Sequence, residues 1–355
     1  MKKILALILY LSFFATPSLA VKLPSTILPP EVPIDNPSTP EKEVLGKSLY
    51  FDKRLSIDNT VSCGTCHDPE KGFADGKAVA EGIKGQRGPR NSPTVLNAAF
   101  YELQFWDGRA RTLEEQAQLP IINPLEMGMP SFKTVEEKLR KIPEYRKAFK
   151  DAFKTEDFTI DHIAKAIAAF ERTLVSVRSP FDRFIAGDKN AISADAQAGW
   201  RLFNGKARCN TCHGFIAASP FFTDNKFHNI GVAMKGTNFE SLAREAQKAG
   251  KSPEELEKLA FKEGAAELGR FNVTREPKDL GSFKTPGLRN VALTSPYMHD
   301  GSEPFMETVI EFYNKGGIPN PNLDGGIIPL NLTHEESNQL VEFLKTLTSD
   351  DLGNL

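Results

Sequence analysis

Apolar residues recur at three- and four-residue steps along much of this chain, and few segments alternate with period two. That pattern predicts a mainly α protein. The clearest case is 160–174, where Ile160, Ile163, Ile167, Phe170 and Leu174 make one stripe wide enough to bury. Shorter helices are expected over 112–118, 135–141 and 144–153, with Pro143 separating the last two. A further helix starts at Glu41, just after Pro40, and runs to about Asp52. Ser193 offers an N-cap for 193–203. Residues 305–314 and 333–347 also read as helical, and Thr333 with Glu336 fits a capping box. Residues 239–268 are charged and helical, and read as an exposed insertion.

The segments between these are irregular. Residues 21 to about 40 form a Pro/Ser/Thr-rich arm, 68–91 a Gly- and charge-rich loop, and 280–300 a loop with many Pro and Gly. Ser179-Pro180 breaks the longest helical pattern and divides the chain into 21–179 and 180–355. In each half a helix precedes a Cys-x-x-Cys-His run by a few residues, a weak internal repeat of about 146 residues judged by the motifs.

The N-terminus has a different character. Lys2 and Lys3 precede an apolar run over 4–14, with small residues at Ser18 and Ala20. This is the pattern of an export signal, residues 1–20, cleaved after Ala20. A membrane anchor would need a longer apolar core and a polybasic stop. The expected mature protein is soluble and periplasmic. A net charge of -2 over 355 residues gives no reason to expect nucleic acid or an anionic membrane surface as a partner.

An exported chain with four cysteines would ordinarily suggest two disulfides. Here all four fall in Cys63-Gly64-Thr65-Cys66-His67 and Cys209-Asn210-Thr211-Cys212-His213. Two thiols spaced to meet two vinyl groups, followed at once by an imidazole that reaches the iron, are what a covalent c-type haem requires. A tetrathiolate zinc site or redox dithiols would not explain a His after each pair. Two haems c are therefore expected, with His67 and His213 as proximal ligands. Of the other histidines, His162 and His334 sit in exposed helical surroundings. His228 and His299 lie in Gly/Pro-rich loops where they could line a haem. Residue types alone do not assign the sixth iron ligands.

Longer strings carry a resemblance. Gly88-Pro89-Arg90-Asn91-Ser92-Pro93-Thr94-Val95-Leu96-Asn97, Gln104-Phe105-Trp106-Asp107-Gly108-Arg109 and Leu113-Glu114-Glu115-Gln116-Ala117 occur in order. Asn123-Pro124-Leu125-Glu126-Met127, Lys284-Thr285-Pro286-Gly287-Leu288-Arg289-Asn290 and Pro296-Tyr297-Met298-His299-Asp300-Gly301 follow. Together they resemble the bacterial dihaem cytochrome c peroxidase and MauG family over nearly the whole mature chain. The resemblance implies two cytochrome c-like domains, each with one haem, and a peroxide site at the N-terminal haem. It implies Glu126 as distal acid/base, Gln116 as its neighbour, Trp106 between the haems, and a calcium site at Asn91, Thr294 and Pro296. Without it, Glu126 reads as a surface carboxylate and Trp106 as a core aromatic.

Two departures refine the expectation. Family members that need reductive activation place a His in the loop before Gly88. Ile83 or a neighbour stands there, and no His occurs between His67 and His162. The first haem is thus expected to be open in the oxidised protein. The string Glu311-Phe312-Tyr313-Asn314-Lys315-Gly316-Gly317 resembles the MauG-type branch, in which the corresponding Tyr ligates the second iron. Tyr313 is the expected ligand, with Met298 and Met306 as rivals and a packed helical tyrosine as the alternative. That branch also has a tryptophan two residues before the second haem motif. Ala207 stands there, leaving Trp200 as another candidate aromatic. The expected activity is peroxide reduction fed by a small periplasmic cytochrome c or cupredoxin, in a protein that could form a homodimer. The alternatives are oxidation of a partner protein's side chains and pure electron transfer.

Overall fold

The computed structural model describes residues 27–235, 239–262, 264–350 and 352. The expected signal and its cleavage point therefore lie outside the described residues. Among the described residues, thirteen α-helices follow in chain order: α1 (Pro40–Tyr50), α2 (Cys63–Cys66), α3 (Leu113–Ile122), α4 (Phe132–Arg140), α5 (Pro143–Phe153) and α6 (Ile160–Glu171). After them come α7 (Pro180–Ile185), α8 (Ala194–Asn204), α9 (Phe239–Lys248), α10 (Pro253–Phe261), α11 (Phe271–Thr274), α12 (Met306–Asn314) and α13 (His334–Lys345). The named strands, β1 (Phe227–His228) and β2 (Phe283–Lys284), pair antiparallel, Phe227 opposite Lys284.

The helices start where the sequence supplies acceptors for their first amides. Thr39 caps α1 and Ser193 caps α8, and Thr333 with Glu336 forms a reciprocal box at α13. Ser179-Pro180 is a beginning rather than a break. Proline suits a first helical turn, and Ser179 and Asp182 cap α7 reciprocally. α3 runs past the expected stop, through Pro120 to Ile122. A proline this near the C-terminal end removes one amide bond without displacing the turns before it.

Two large hydrophobic clusters form. One draws residues from Leu45 to Leu174 and includes Tyr50, Phe73, Phe149, Phe158 and Phe170; the other runs from Phe181 to Leu347 and includes Phe203, Phe222 and Phe343. Each is built on the same helix crossing. A Cβ at Gly46 of α1 would lie 1.9 Å from the Ala166 carbonyl of α6, and one at Gly199 of α8 would lie 1.9 Å from the Gln339 carbonyl of α13. Glycine is required at both crossings because the two backbones touch there.

The repeat goes further than the motifs. Asn97 and Asn290 both take left-handed backbone (φ 62° and 61°), and each opens a short 3-10 turn. Their amides meet in one buried polar knot. Asn97 bonds the backbone of Ser176, Asn290 bonds the Ser176 hydroxyl and the Ser349 amide, and the two serine hydroxyls bond each other at 2.7 Å. A tight turn then recurs. Gln104 bridges Ala110 and Tyr297 bridges Glu303, with φ of 67° at Phe105 and 71° at Met298. Trp106 and His299 occupy the same place in these two turns.

The N-terminal arm is docked. Buried Asn36 donates to Glu114 at 2.7 Å and to the Lys165 carbonyl, and Arg172 makes a two-pronged pair with the same Glu114. The expected insertion is only partly exposed. α9 is largely solvated, but α10 buries Leu256, Glu257, Leu259 and Ala260.

Candidate active site

Both Cys-x-x-Cys-His motifs fold as single turns that put the two cysteines on one side. In each, the His amide donates to the first Cys carbonyl, at 2.9 Å for His67 and 2.8 Å for His213. All four cysteines are free thiols. Both pairs, both histidines, Glu126 and Tyr313 line one cavity of about 390 Å³; Glu126 lies near Cys63 and Cys66, which marks its first lobe, and Tyr313 near Cys209 and Cys212, which marks its second. Burial pushes the thiols of Cys66 and Cys209 up to about 12, and that of Cys63 higher still. Such thiols are poor zinc ligands and poor redox nucleophiles. They suit a thioether link, which consumes the thiol. Burial also pushes both imidazoles toward the neutral form that binds metal.

The imidazoles are oriented from behind. His213 Nδ1 lies 2.9 Å from the Phe222 carbonyl. With the proton on Nδ1, Nε2 is free to bind iron. His67 Nδ1 is buried without a hydrogen-bond partner, although the carbonyls of Phe73 and Pro93 face the ring. Phe73 and Phe222 share the left-handed backbone (φ 58° and 57°). Lys284 is 8 % exposed, lies over the Tyr101 ring at 3.6 Å, and has no carboxylate partner among the described residues. Burial alone pushes its ammonium down to about 7. It lines the cavity, where an unpaired cation suits a haem propionate. Two free thiols and an imidazole shifted toward its neutral form fit a c-type haem at each motif, and Lys284 offers a propionate partner in the shared cavity.

Glu126, Gln116, Trp106 and Arg109 line the same cavity. Gln116 and Pro120 lie one turn apart on α3. Glu126 follows in the turn after that helix, its amide bonded to the Asn123 carbonyl at 3.1 Å. One of its carboxylate oxygens, Oε2, is sealed from solvent without a partner. Burial and then the charge of Glu257 push this carboxyl up to about 8, against a smaller pull from Arg109. Trp106 donates its indole N–H to the Asn91 carbonyl at 2.9 Å and accepts from the Lys284 amide at 2.8 Å, touching both halves of the chain. Ile83 points away from the cavity toward Gly128, and its loop meets Glu126 through the backbone, Ile83 N–H to Glu126 carbonyl at 2.8 Å.

Behind this pocket lies an ionic network that sequence reasoning missed. Arg90 and Arg109 both bind Asp107, at 2.8 and 3.0 Å, and Arg109 also donates to Glu257 at 2.8 Å. Burial would raise Asp107, but the two guanidiniums outweigh it and hold the carboxyl at about 2. Glu171 was missed too. It closes α6, lines the cavity and leaves Oε2 buried without a partner, and burial pushes it up to about 8. Its place at the end of an otherwise apolar stripe was the available signal.

In the second lobe, Tyr313 of α12 and Met298 line the cavity, while Met306 is buried in the second core. Burial raises the Tyr313 hydroxyl. Ala207 also lines the lobe, and Trp200 is half-buried against Phe181, Phe203 and Phe343 rather than presented at the surface. His228 is gripped by Asp324 at 2.6 Å and Asp224 at 3.0 Å. The Cys212 thiol adds the largest push toward its protonated form, a contribution that ends once that sulfur is a thioether. His299 stacks on Phe283 and bonds Glu267 at 2.8 Å. Asn91 reaches the Pro296 carbonyl at 3.3 Å, and the Thr294 hydroxyl closes a turn onto Val291. His162 and His334 sit in helix-start contacts, with Thr159 and Asn338 respectively.

No helix among the described residues is long and apolar enough to cross a membrane. The family model for di-haem cytochrome c peroxidase matches residues 40–190. The chain is 39 % identical to the cytochrome-c peroxidase IdrP1 of Denitromonas iodatirespirans, over 90 % of this chain and 85 % of that one. It is 41 % identical to the methylamine utilization protein MauG of Methylorubrum extorquens, over 90 % and 81 %. A solved MauG-like protein associated with microbial copper homeostasis superimposes with a TM-score of 0.76 at 34 % identity, covering 93 % of this chain and 95 % of that one. The chain therefore belongs to the di-haem cytochrome c peroxidase family.

Proposed function

We propose that this protein is a periplasmic peroxidase-type oxidoreductase that reduces hydrogen peroxide at an open N-terminal haem and stores an oxidising equivalent at the second. Residues 21–179 and 180–355 are read as one cytochrome c-like unit each, attached to haem through Cys63/Cys66 and Cys209/Cys212. Bound haem supplies the redox-active iron, which no side chain can replace. The observation that carries the reading is Glu126: a carboxyl facing the His67 lobe, unpaired, and shifted to about 8.

Reduction of peroxide to two waters takes two electrons and two protons. Glu126 would take the proton from one peroxide oxygen and hand it to the other, which departs as water when the O–O bond breaks; the remaining oxygen becomes the second water on taking up the two electrons and two protons. A carboxyl that titrates near working pH does both. The side-chain amide of Gln116, which makes no bond elsewhere among the described residues, holds the departing oxygen. Trp106, in backbone contact with both halves, connects the two sites. Tyr313 is the proposed second-haem ligand in place of Met298. Asn91 with the carbonyls of Thr294 and Pro296 offers the hard oxygen donors of a calcium site. The electrons come from a small periplasmic donor protein.

Stopped-flow absorption after mixing peroxide with the diferric protein tests this. Wild type should react without prior reduction, and Glu126→Gln should slow the reaction by about 10²- to 10⁴-fold. A requirement for reduction first would overturn the open-site reading. Oxidation of a partner protein is the second reading, favoured by the 41 % identity to a methylamine utilization protein.

A further inference from the structure

Helix α10 comes from the C-terminal half, yet its buried face reaches the pocket of the N-terminal half. Phe261 lines the cavity and packs at 3.3 Å where Gly88 would carry a Cβ. Glu257, 6 % exposed, spends one oxygen on Asn123 Nδ2 at 2.7 Å and the other on Arg109 Nε at 2.8 Å. Both partners flank Glu126. Asn123 is the root of the turn that presents it: its carbonyl accepts from the Glu126 amide, and its Oδ1 accepts from the Leu125 amide at 2.9 Å. Arg109 is the cation whose charge Glu126 feels.

We propose that Glu257 is a positioning residue for Glu126: by engaging Arg109 and Asn123 together, it fixes the turn that carries the acid–base carboxyl and keeps that carboxyl from being captured by the guanidinium. A buried carboxylate must be paired, and Glu257 meets that demand with the two groups best placed to tie Glu126 down. Arg109 is left with donors committed to Asp107 and Glu257, and with its face on the Phe105 ring at 3.5 Å. Without Glu257, Arg109 Nε and Asn123 Nδ2 would lose their acceptor beside an unpaired carboxyl. The other groups facing Glu126 do not replace Glu257. The thiols of Cys63 and Cys66 become uncharged thioethers, Asp107 lies behind Arg109 and is also bound by Arg90, and the loop before Arg90 meets the turn through the Ile83 amide and the uncharged side chain of Gln86, which donates to the Pro124 carbonyl at 3.2 Å. Burial does most to keep Glu126 protonatable near neutral pH, and Glu257 adds its negative charge to that effect against the smaller pull of Arg109.

The inference rests on the reading of Glu126 as the acid–base group, and the test separates the two. In the holoprotein, the infrared band of the protonated carboxyl, assigned by its loss in Glu126→Gln, is titrated alongside the pH profile of the peroxide reaction. In Glu257→Gln the band should titrate at a pH lower by about one unit or more, with the rate profile moving the same way. In Glu257→Asp, which keeps the charge, the midpoint should stay near that of wild type. Asn123→Ala breaks the link to the turn but leaves both carboxylates. It should slow the peroxide reaction several-fold without moving the band, and it decides the matter if Glu257→Gln does not fold. An unmoved midpoint in Glu257→Gln, or an unchanged rate in Asn123→Ala, overturns the proposal. Should Glu126→Gln leave the peroxide reaction intact, the acid–base reading fails instead, while the infrared arm still reports whether Glu257 sets the titration.

Discussion

Replacing Glu171 by Gln should remove a pH-dependent weakness from the holoprotein. Glu171 is 4 % exposed and its carboxyl is raised from an ordinary 4.5 to about 8, by burial first and by Glu114 to a smaller degree, against Arg172. Between those values the folded protein keeps a proton that the unfolded chain has released, so stability falls as pH rises. The contribution is fully present below about 4.5 and gone above about 8. At about 1.4 kcal/mol per pH unit the loss reaches about 5 kcal/mol as an upper bound. Glu171→Gln keeps the shape and never ionises. Thermal unfolding followed by circular dichroism should give similar midpoints for variant and wild type at about pH 5. Near pH 9 the variant should be higher by up to about 7 °C, taking an unfolding entropy of about 0.7 kcal/mol/K for a chain of 355 residues. Glu126 titrates through the same window in both proteins and cancels in the difference. An equal gap at the two pH values would refute the argument.

Gly46→Ala and Gly199→Ala should each lower the thermal midpoint by an amount equivalent to several kcal/mol, since either Cβ would meet a carbonyl oxygen at 1.9 Å; calorimetry checks this. In Tyr313→Met, paramagnetic resonance of the oxidised protein should show the low-spin haem signal altered and the high-spin signal unchanged; a change in both would argue against ligation confined to one iron. Lys284→Met removes a buried cation from the cavity wall and should lower at least one midpoint potential in a spectroelectrochemical titration of the holoprotein.

Much of the helical frame was legible because its signals are local. Caps at Ser193 and Thr333, the start beside Pro40 and the stripe from Ile160 to Phe170 act within a few residues. The haem motifs were legible for the same reason. Ser179-Pro180 read as a stop, yet α6 has already ended at Glu171 and the reciprocal bonds between Ser179 and Asp182 make this proline the start of α7. Glu257 and Lys284 were not legible as site residues. Each draws its meaning from partners 148 and 183 positions away, Arg109 and Tyr101. α10 reads as charged, and nothing in its spacing says that one of its glutamates faces inward. Trp200 was a candidate only as another aromatic near the second motif, and its neighbours in space are phenylalanines.

The paired turns at Phe105–Gly108 and Met298–Gly301 make the molecule one local geometry used twice. Matching left-handed residues, matching asparagines at 97 and 290 and matching glycine crossings at 46 and 199 hold the two halves to the same local backbone. The position that follows the left-handed residue holds Trp106 in one turn and His299 in the other. A shared scaffold with one divergent position turns the protein into its own control. Exchanging those two residues would ask what the side chain alone contributes at each site.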